Sequence, residues 1–166
     1  MESRDYEEFI AGLNRRGVRY LIVGAHAVAY HARPRATKDL DILLDPTPAN
    51  ARRVLVALRD FFSGVDSGYT VSDITDSRWI IQLGVAPIRI DLLSHLPGAP
   101  NFRSVWKNKI VSKFGGVKAY YMGLDDLIQA KESTGRPQDD VDARVLRFAR
   151  DNRQRSKTSR RHPRSH

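Results

Sequence analysis

The stretch YLIVGAHAVAYHARPRATKDLDILL, residues 20–44, decides the fold of this chain. It contains two short apolar segments that are typical of buried strands, and the first of them ends at Gly24. A short helix of small residues is predicted directly after this glycine, from Ala25 to His31, and a basic loop leads from it to the second strand. We therefore predict a strand, a glycine turn, a helix and a second strand. The backbone N–H groups at the start of such a helix can bind phosphate.

Three acidic residues lie in apolar, strand-like segments of the sequence. Asp39 and Asp41 belong to the second strand, and Asp91 lies in the later segment IRIDLL. Because side chains alternate along a strand, Asp39 and Asp41 share a face and lie roughly 7 Å apart. If the two strands pair, the three carboxylates converge beside the glycine turn and could hold a divalent cation. Taken alone, the Asp-x-Asp pair could equally cap a strand end or form surface salt bridges.

The composition limits the class of protein. The chain has 166 residues, of which 41% are hydrophobic, which is enough for one packed domain. It contains no cysteine, so disulfides and zinc sites with thiolate ligands are excluded. No apolar run approaches the roughly 20 residues of a membrane helix, and the first residues are acidic and polar, unlike a secretory signal. We expect a cytoplasmic protein with no membrane partner.

Helix and strand patterns alternate along the rest of the chain. Thr47, followed by a proline, is a typical helix start, and residues 63–77 are expected to be mostly loop. Two hairpins are predicted, one over residues 79–93 and one over residues 110–121 with a Gly-Gly turn. The predicted fold class is α/β, or α+β, with a mixed sheet flanked by helices and a helical C-terminal segment, all within residues 1–150.

The net charge of +9 is concentrated near the C-terminal end. Residues 152–166 hold six lysines and arginines and no acid. Because this segment has no apolar side chain to bury, we expect the last helix to end near Arg150 and residues 151–166 to form a disordered basic tail. Two interpretations stay open: a solvated tail without function, and an arm that binds the phosphates of a nucleic acid.

Three segments together resemble the nucleotidyltransferase superfamily of the DNA polymerase β type. They read VGAHAVAYHARPRATKDLDILL, IRIDLL and LDDLIQAKESTGRPQDDVDARVL, and the resemblance covers about residues 18–148. Within this superfamily the chain resembles small bacterial abortive-infection and toxin–antitoxin nucleotidyltransferases. The family has an apolar residue, a glycine and then a Gly or Ser before the helix, and here those places are taken by Val23, Gly24 and Ala25. Ala25 departs from the pattern, because it removes a side-chain hydroxyl from the phosphate site.

The resemblance implies a reaction and a set of catalytic residues. A nucleoside monophosphate would pass from a nucleoside triphosphate to an acceptor hydroxyl, with two Mg²⁺ (or Mn²⁺) ions as cofactors. Asp39 and Asp41 would bridge the ions, and Asp91 would complete the ion on the acceptor side. These three residues are therefore both the expected catalytic residues and the expected metal ligands.

The same resemblance implies a nucleotide site. Gly24, Ala25 and His26 would bind the triphosphate through the turn, while Lys38 and Lys131 would neutralise its charge. Two of these residues have a simpler interpretation: His26 as a helix-start histidine bonded to a nearby carbonyl, and Lys131 as a solvated helical lysine.

The acceptor is less constrained by the sequence. Toxin relatives modify RNA, often tRNA, or proteins, and antibiotic-modifying relatives act on small molecules. The basic tail favours RNA. The resemblance implies a nucleoside triphosphate, RNA or tRNA, and an antitoxin protein as partners. Two alternatives stay open: an enzyme that modifies a small molecule such as an antibiotic, and a catalytically silent protein of the same fold that binds nucleic acid or a partner.

Overall fold

The computed structural model describes residues 2–34, 36–37, 39–85 and 87–161. Within these residues the elements follow the order α1 (Glu2–Arg15), β1 (Tyr20–Val23), α2 (Gly24–His31), β2 (Asp39–Leu44), α3 (Pro48–Phe61), α4 (Val71–Thr75), β3 (Ile80–Val85), β4 (Ile88–Leu93), α5 (Phe102–Lys107), β5 (Ile110–Phe114), β6 (Val117–Tyr121), α6 (Leu124–Glu132) and α7 (Pro137–Arg161). None of the described helices is both long enough and apolar enough to span a membrane.

The strands form one mixed sheet with the order β3-β4-β2-β1-β6-β5. The central pair β1 and β2 is antiparallel, and each of these strands has a parallel neighbour on its other side, β6 and β4 respectively. The outer pairs, β3 with β4 and β5 with β6, are the two antiparallel hairpins that the sequence predicts. The mixed sheet with flanking helices and a helical C-terminal segment confirms the predicted fold class.

The two central strands come from the stretch of residues 20–44. All four residues of β1 are buried, which agrees with its continuous apolar sequence. In β2 the half-buried Asp39 and Asp41 alternate with the buried Leu40 and Ile42. One face of β2 therefore packs into the core, while the other carries the carboxylates.

Helices α1 and α3 pack together beside the sheet. Phe9 of α1 contacts Phe61 of α3 edge to face, with 5.2 Å between the ring centroids. The start of α3 is the predicted one: Thr47 is its N-cap and accepts a hydrogen bond from the backbone N–H of Asn50, and Pro48 occupies the first helical position.

Two short helices were not predicted from the sequence. Residues 63–77, expected to be mostly loop, contain α4, whose N-terminus is fixed by a capping box between Thr70 and Asp73. Helix α5 follows Asn101, whose side chain accepts a hydrogen bond from the backbone of Ser104. Both helices are too short for a periodic apolar stripe, so only their capping residues could have indicated them.

The last helix differs from the sequence prediction in its length. Helix α7 continues to Arg161 instead of ending near Arg150, so residues 151–161 are helical, while residues 162–166 lie outside the described part of the chain. The expectation of a disordered tail was drawn from the lack of apolar residues. Extending an existing helix costs little, however, and arginine, lysine and glutamine are good helix formers. Arg153 also ties the extension to the body, because its guanidinium donates to the backbone carbonyl of His31 at 2.7 Å.

Candidate active site

The turn between β1 and α2 requires glycine for two reasons. Gly24 has a φ of +65°, which residues with a Cβ rarely adopt, and a Cβ at this position would overlap the carboxylate of Asp41. Helix α2 has neither a side-chain cap nor an acidic residue in its first turn. Ala25 and His26 lie in that first turn, and Gly24 at its start lies beside Asp41. The backbone N–H groups of the first turn have no partner within the helix and can donate to an anion.

The sheet register places the three predicted carboxylates on one face. Asp41 of β2 lies opposite Asp91 of β4, and Asp39 lies opposite Arg89. Residues paired in this way point to the same side of a sheet, and alternation along each strand extends that side to all four residues. The predicted convergence of Asp39, Asp41 and Asp91 therefore follows from the parallel pairing of two strands far apart in the sequence.

Arg89 is a site residue that the sequence analysis missed. Its Nη2 donates to Asp39 Oδ2 at 2.6 Å, and its Nε lies 3.6 Å from Asp91 Oδ1. In this arrangement the described residues present no group of three His, Asp or Glu side chains placed to hold a metal ion. The signal in the sequence was the position of Arg89 two residues before Asp91 in the same strand, because residues two apart in a strand share a face.

The carboxylates nevertheless suit a divalent cation. Burial, then the carboxylates of Asp91 and Asp39, raise the pKa of Asp41 to about 6, while Lys131 and Arg89 oppose this rise. Burial likewise raises the pKa of Asp91, with Asp39 adding to the rise and Arg89 opposing it. Asp91 Oδ1 is buried and has no hydrogen-bond partner among the described residues. Crowded oxygen ligands of this kind fit Mg²⁺ or Mn²⁺.

His26 lies beside the carboxylates without the carbonyl bond that the simpler interpretation expects. Its Nε2 is buried and has no hydrogen-bond partner within the described residues. The ring packs between Tyr6 and Phe114, with centroid distances of 5.9 and 5.2 Å. Burial lowers the pKa of His26, and the charge of Asp39 opposes this effect. The imidazole is therefore neutral near pH 7.

Lys131 is not the solvated helical lysine of the simpler interpretation. Its side chain is only 16% exposed, and its Nζ lies 2.8 Å from Asp139 Oδ1 and 3.2 Å from Asp142 Oδ2. Its charge also reaches Asp41, whose pKa it lowers. The lysine is therefore held by two acids of α7 while it remains beside the carboxylate site. Lys38, the other predicted lysine, lies outside the described residues.

A cavity of about 320 Å³ joins the turn, the carboxylate of Asp41 and Lys131. Its polar side contains Gly24, Asp41 and Lys131, together with Thr134 and Arg136. Its other wall is apolar and is formed mainly by Ile80, Leu93, Leu96, Pro97 and Leu127. Neither Thr134 nor the apolar wall was predicted from the sequence as part of the site. The cavity can take an anionic group at one end and a flat apolar group against the other wall.

Two solved structures share the fold. A "putative nucleotidyltransferase" from Thermotoga maritima has 18% sequence identity over 90% of this chain and 92% of that chain, with a TM-score of 0.56. An antigenic nucleotidyltransferase-like protein from Paracoccidioides brasiliensis has 12% identity over 89% of this chain and 75% of that chain, with a TM-score of 0.53. At these identities the likeness concerns the fold alone.

The sequence itself matches a family model over almost its whole length, whereas none of the curated proteins matches it. The model is described as "Nucleotidyl transferase of unknown function (DUF2204)" and covers residues 2–162. This match agrees with the strand, glycine turn, helix and acidic strand described above. The chain therefore belongs to this family of nucleotidyl transferases.

Proposed function

We propose that this protein is a metal-dependent nucleotidyltransferase that moves a nucleoside monophosphate from a nucleoside triphosphate to an acceptor hydroxyl, with release of pyrophosphate and of the hydroxyl proton. The observation that carries the proposal is the pairing of Asp41 with Asp91 on adjacent strands, next to the uncapped start of α2 at Gly24. Phosphoryl transfer depends mainly on positioning and on charge stabilisation. A carboxylate cluster beside a phosphate-binding turn provides both.

Asp39, Asp41 and Asp91 would hold Mg²⁺ or Mn²⁺. When bound, the metal would stabilise the negative charge that develops on the attacking and leaving oxygens. The raised pKa of Asp41 and the unpartnered Oδ1 of Asp91 support this assignment. Burial and like charge outweigh the nearby cations at Asp41, and Oδ1 of Asp91 has no hydrogen-bond partner among the described residues.

The triphosphate would lie at the polar end of the cavity. The backbone N–H groups of Gly24, Ala25 and His26 would donate to its oxygens, and Lys131 and Arg136 would supply positive charge. The base would lie against the apolar wall. An apolar wall is not selective among bases, so ATP is a suitable first nucleotide to test.

We propose RNA, and tRNA in particular, as the acceptor. The support is the exposed extension of α7, in which Lys157, Arg160 and Arg161 follow helical spacing and so share one face. A row of cations on a helix fits the regular spacing of backbone phosphates. A cytoplasmic toxin whose activity an antitoxin protein restrains would match this chemistry.

The proposal is tested by incubating the protein with each labelled nucleoside triphosphate and with total RNA, cell protein or an aminoglycoside, with Mg²⁺ or with EDTA. We expect label in RNA only when Mg²⁺ is present, and none with Asp91→Asn. Asp45→Asn, which follows directly after the end of β2, is the matched control and should retain activity. Label in protein or in the small molecule would replace RNA as the acceptor. Absence of any label with every nucleotide would refute the transferase assignment and favour a silent binding protein.

A further inference from the structure

Arg89 contributes the only guanidinium that the described residues place in direct contact with the carboxylate face. It lies opposite Asp39 in the register of β4 and β2, and it forms the 2.6 Å hydrogen bond to Asp39 Oδ2. The nucleotidyl transfer proposed above assigns it no task. Its side chain nevertheless lies where a cation bound by Asp39 and Asp91 would have to be.

The contacts of this guanidinium are uneven. Its bond to Asp39 is short, but the 3.6 Å between its Nε and Asp91 Oδ1 exceeds hydrogen-bond distance. Both of those atoms are buried and lack a hydrogen-bond partner within the described residues. Arg89 thus offsets the charge of Asp91 without satisfying its oxygen. This is the arrangement of a substitute cation that fits its ligands imperfectly.

The main chain of Arg89 is fixed, whereas its side chain can leave. The Tyr6 hydroxyl donates to the carbonyl of Arg89 at 3.2 Å and lies 3.3 Å from its backbone nitrogen, which holds this point of β4 against α1. The side chain of Arg89 is 37% exposed. A rotation of this side chain toward solvent would therefore uncover Asp39 and Asp91 without moving the strand.

We propose that Arg89 is a built-in counter-ion, a positioning residue that occupies the cation site and competes with divalent cations for Asp39 and Asp91. An arginine keeps its charge at every accessible pH, so a divalent cation must displace it or accept its repulsion. Free Mg²⁺ or Mn²⁺ therefore binds weakly. A cation that arrives with a nucleoside triphosphate brings negative charge that offsets the guanidinium, so binding of the metal is coupled to binding of the nucleotide. This inference rests on the metal site proposed above.

The test is a titration with Mn²⁺ in the absence of nucleotide, followed by the electron paramagnetic resonance signal of the free ion. We expect Arg89→Gln to bind Mn²⁺ at least about tenfold more tightly than the parent, because a charge a few ångströms from the ion is removed. Arg89→Met is a second neutral variant, in case the glutamine variant fails to fold. Arg89→Lys keeps the charge and should bind as weakly as the parent. Arg78→Gln, which removes an exposed arginine paired with Asp76, is the matched control and should change nothing.

A second readout is thermal unfolding with and without Mg²⁺. The neutral variants should be less stable than the parent in EDTA, since the carboxylates then repel each other, and Mg²⁺ should raise their melting temperature more than it raises that of the parent. Equal or weaker Mn²⁺ binding by both neutral variants would overturn the role of Arg89 while leaving the metal site in place. Tight binding by Arg89→Lys would also overturn it, because the shape of arginine and not its charge would then matter. If neither the parent nor any folded variant binds Mn²⁺, the proposed metal site itself is wrong.

Discussion

Replacing Asp41 with asparagine should stabilise the metal-free protein while it removes a metal ligand. Burial and the neighbouring carboxylates raise the pKa of Asp41 from 3.8 to about 6 in the folded chain. A carboxyl whose pKa is raised by folding stabilises the fold while it is protonated, and this contribution is lost as the pH rises from about 4 through 6. Above that range the folded protein carries an unfavourable charge at Asp41, which asparagine does not.

The size of the effect follows from the shift. About two pKa units correspond to about 3 kcal/mol, at 1.36 kcal/mol per unit. Partial access to solvent screens this charge, so we halve the figure to about 1.5 kcal/mol. In a protein of this size each kcal/mol moves the melting temperature by about 2–4 °C. The variant Asp41→Asn should therefore melt about 3–6 °C above the parent at pH 8 in EDTA.

The assay is thermal unfolding followed by far-ultraviolet circular dichroism at pH 8 and at pH 4.5. The difference between Asp41→Asn and the parent should shrink at pH 4.5, where Asp41 of the folded parent is already protonated. Asp45→Asn, directly after β2 and at the opposite end of that strand from Asp39, is the control and should not show this pH dependence. Mg²⁺ should raise the melting temperature of the parent but not that of Asp41→Asn. A variant that melts below the parent at pH 8, or by the same margin at both pH values, would refute the electrostatic argument.

Three further predictions concern the turn, the lysine and the basic helix. Gly24→Val should abolish nucleotide binding and lower stability, because it adds a Cβ against Asp41 at a positive φ. The control Gly64→Val is also at a positive φ but has open space around it, so it should keep its nucleotide affinity. Equal nucleotide affinity in the two variants would place the phosphate elsewhere. Lys131→Met should weaken binding of ATP by about tenfold and cost roughly 1–3 kcal/mol of unfolding free energy, since two acids of α7 lose their ion pair with Lys131. Calorimetry and urea unfolding measure the two effects. Reversing the three cations within residues 157–161 to glutamate should reduce RNA affinity and lower the slope of log K against log salt by about 2 in magnitude, and an unchanged slope would leave the RNA acceptor without structural support.

The local sequence was sufficient for those elements whose signals are short-range. The apolar segment ending at Gly24 predicted a strand followed by a helix, and both lie where the pattern placed them. Thr47 with its proline predicted the start of α3, and a Gly-Gly turn predicted the hairpin over residues 110–121. In each case the deciding interactions join residues a few positions apart, such as a cap bond or a turn conformation. The sequence alone can carry that information.

The predicted end of the last helix near Arg150 was wrong, for a physical reason that composition does not reveal. Residues 151–161 lack apolar side chains, which argues against independent folding, but they continue a helix whose earlier turns are packed on the domain. Nucleation is the costly step in forming a helix, and here it is completed before residue 151.

The arrangement of the candidate site was decided by the tertiary structure. The sequence placed Asp39 and Asp41 on one face of a strand, but only the parallel register of β2 with β4 brings Asp91 opposite Asp41 and Arg89 opposite Asp39. Pairing of Lys131 with Asp139 and Asp142 likewise depends on how α6 and α7 pack. Contacts between charged side chains far apart in sequence depend on strand order and helix packing, which follow from burial of the whole core. The sequence by itself therefore determined which residue types were available for chemistry, and the fold determined which of them meet.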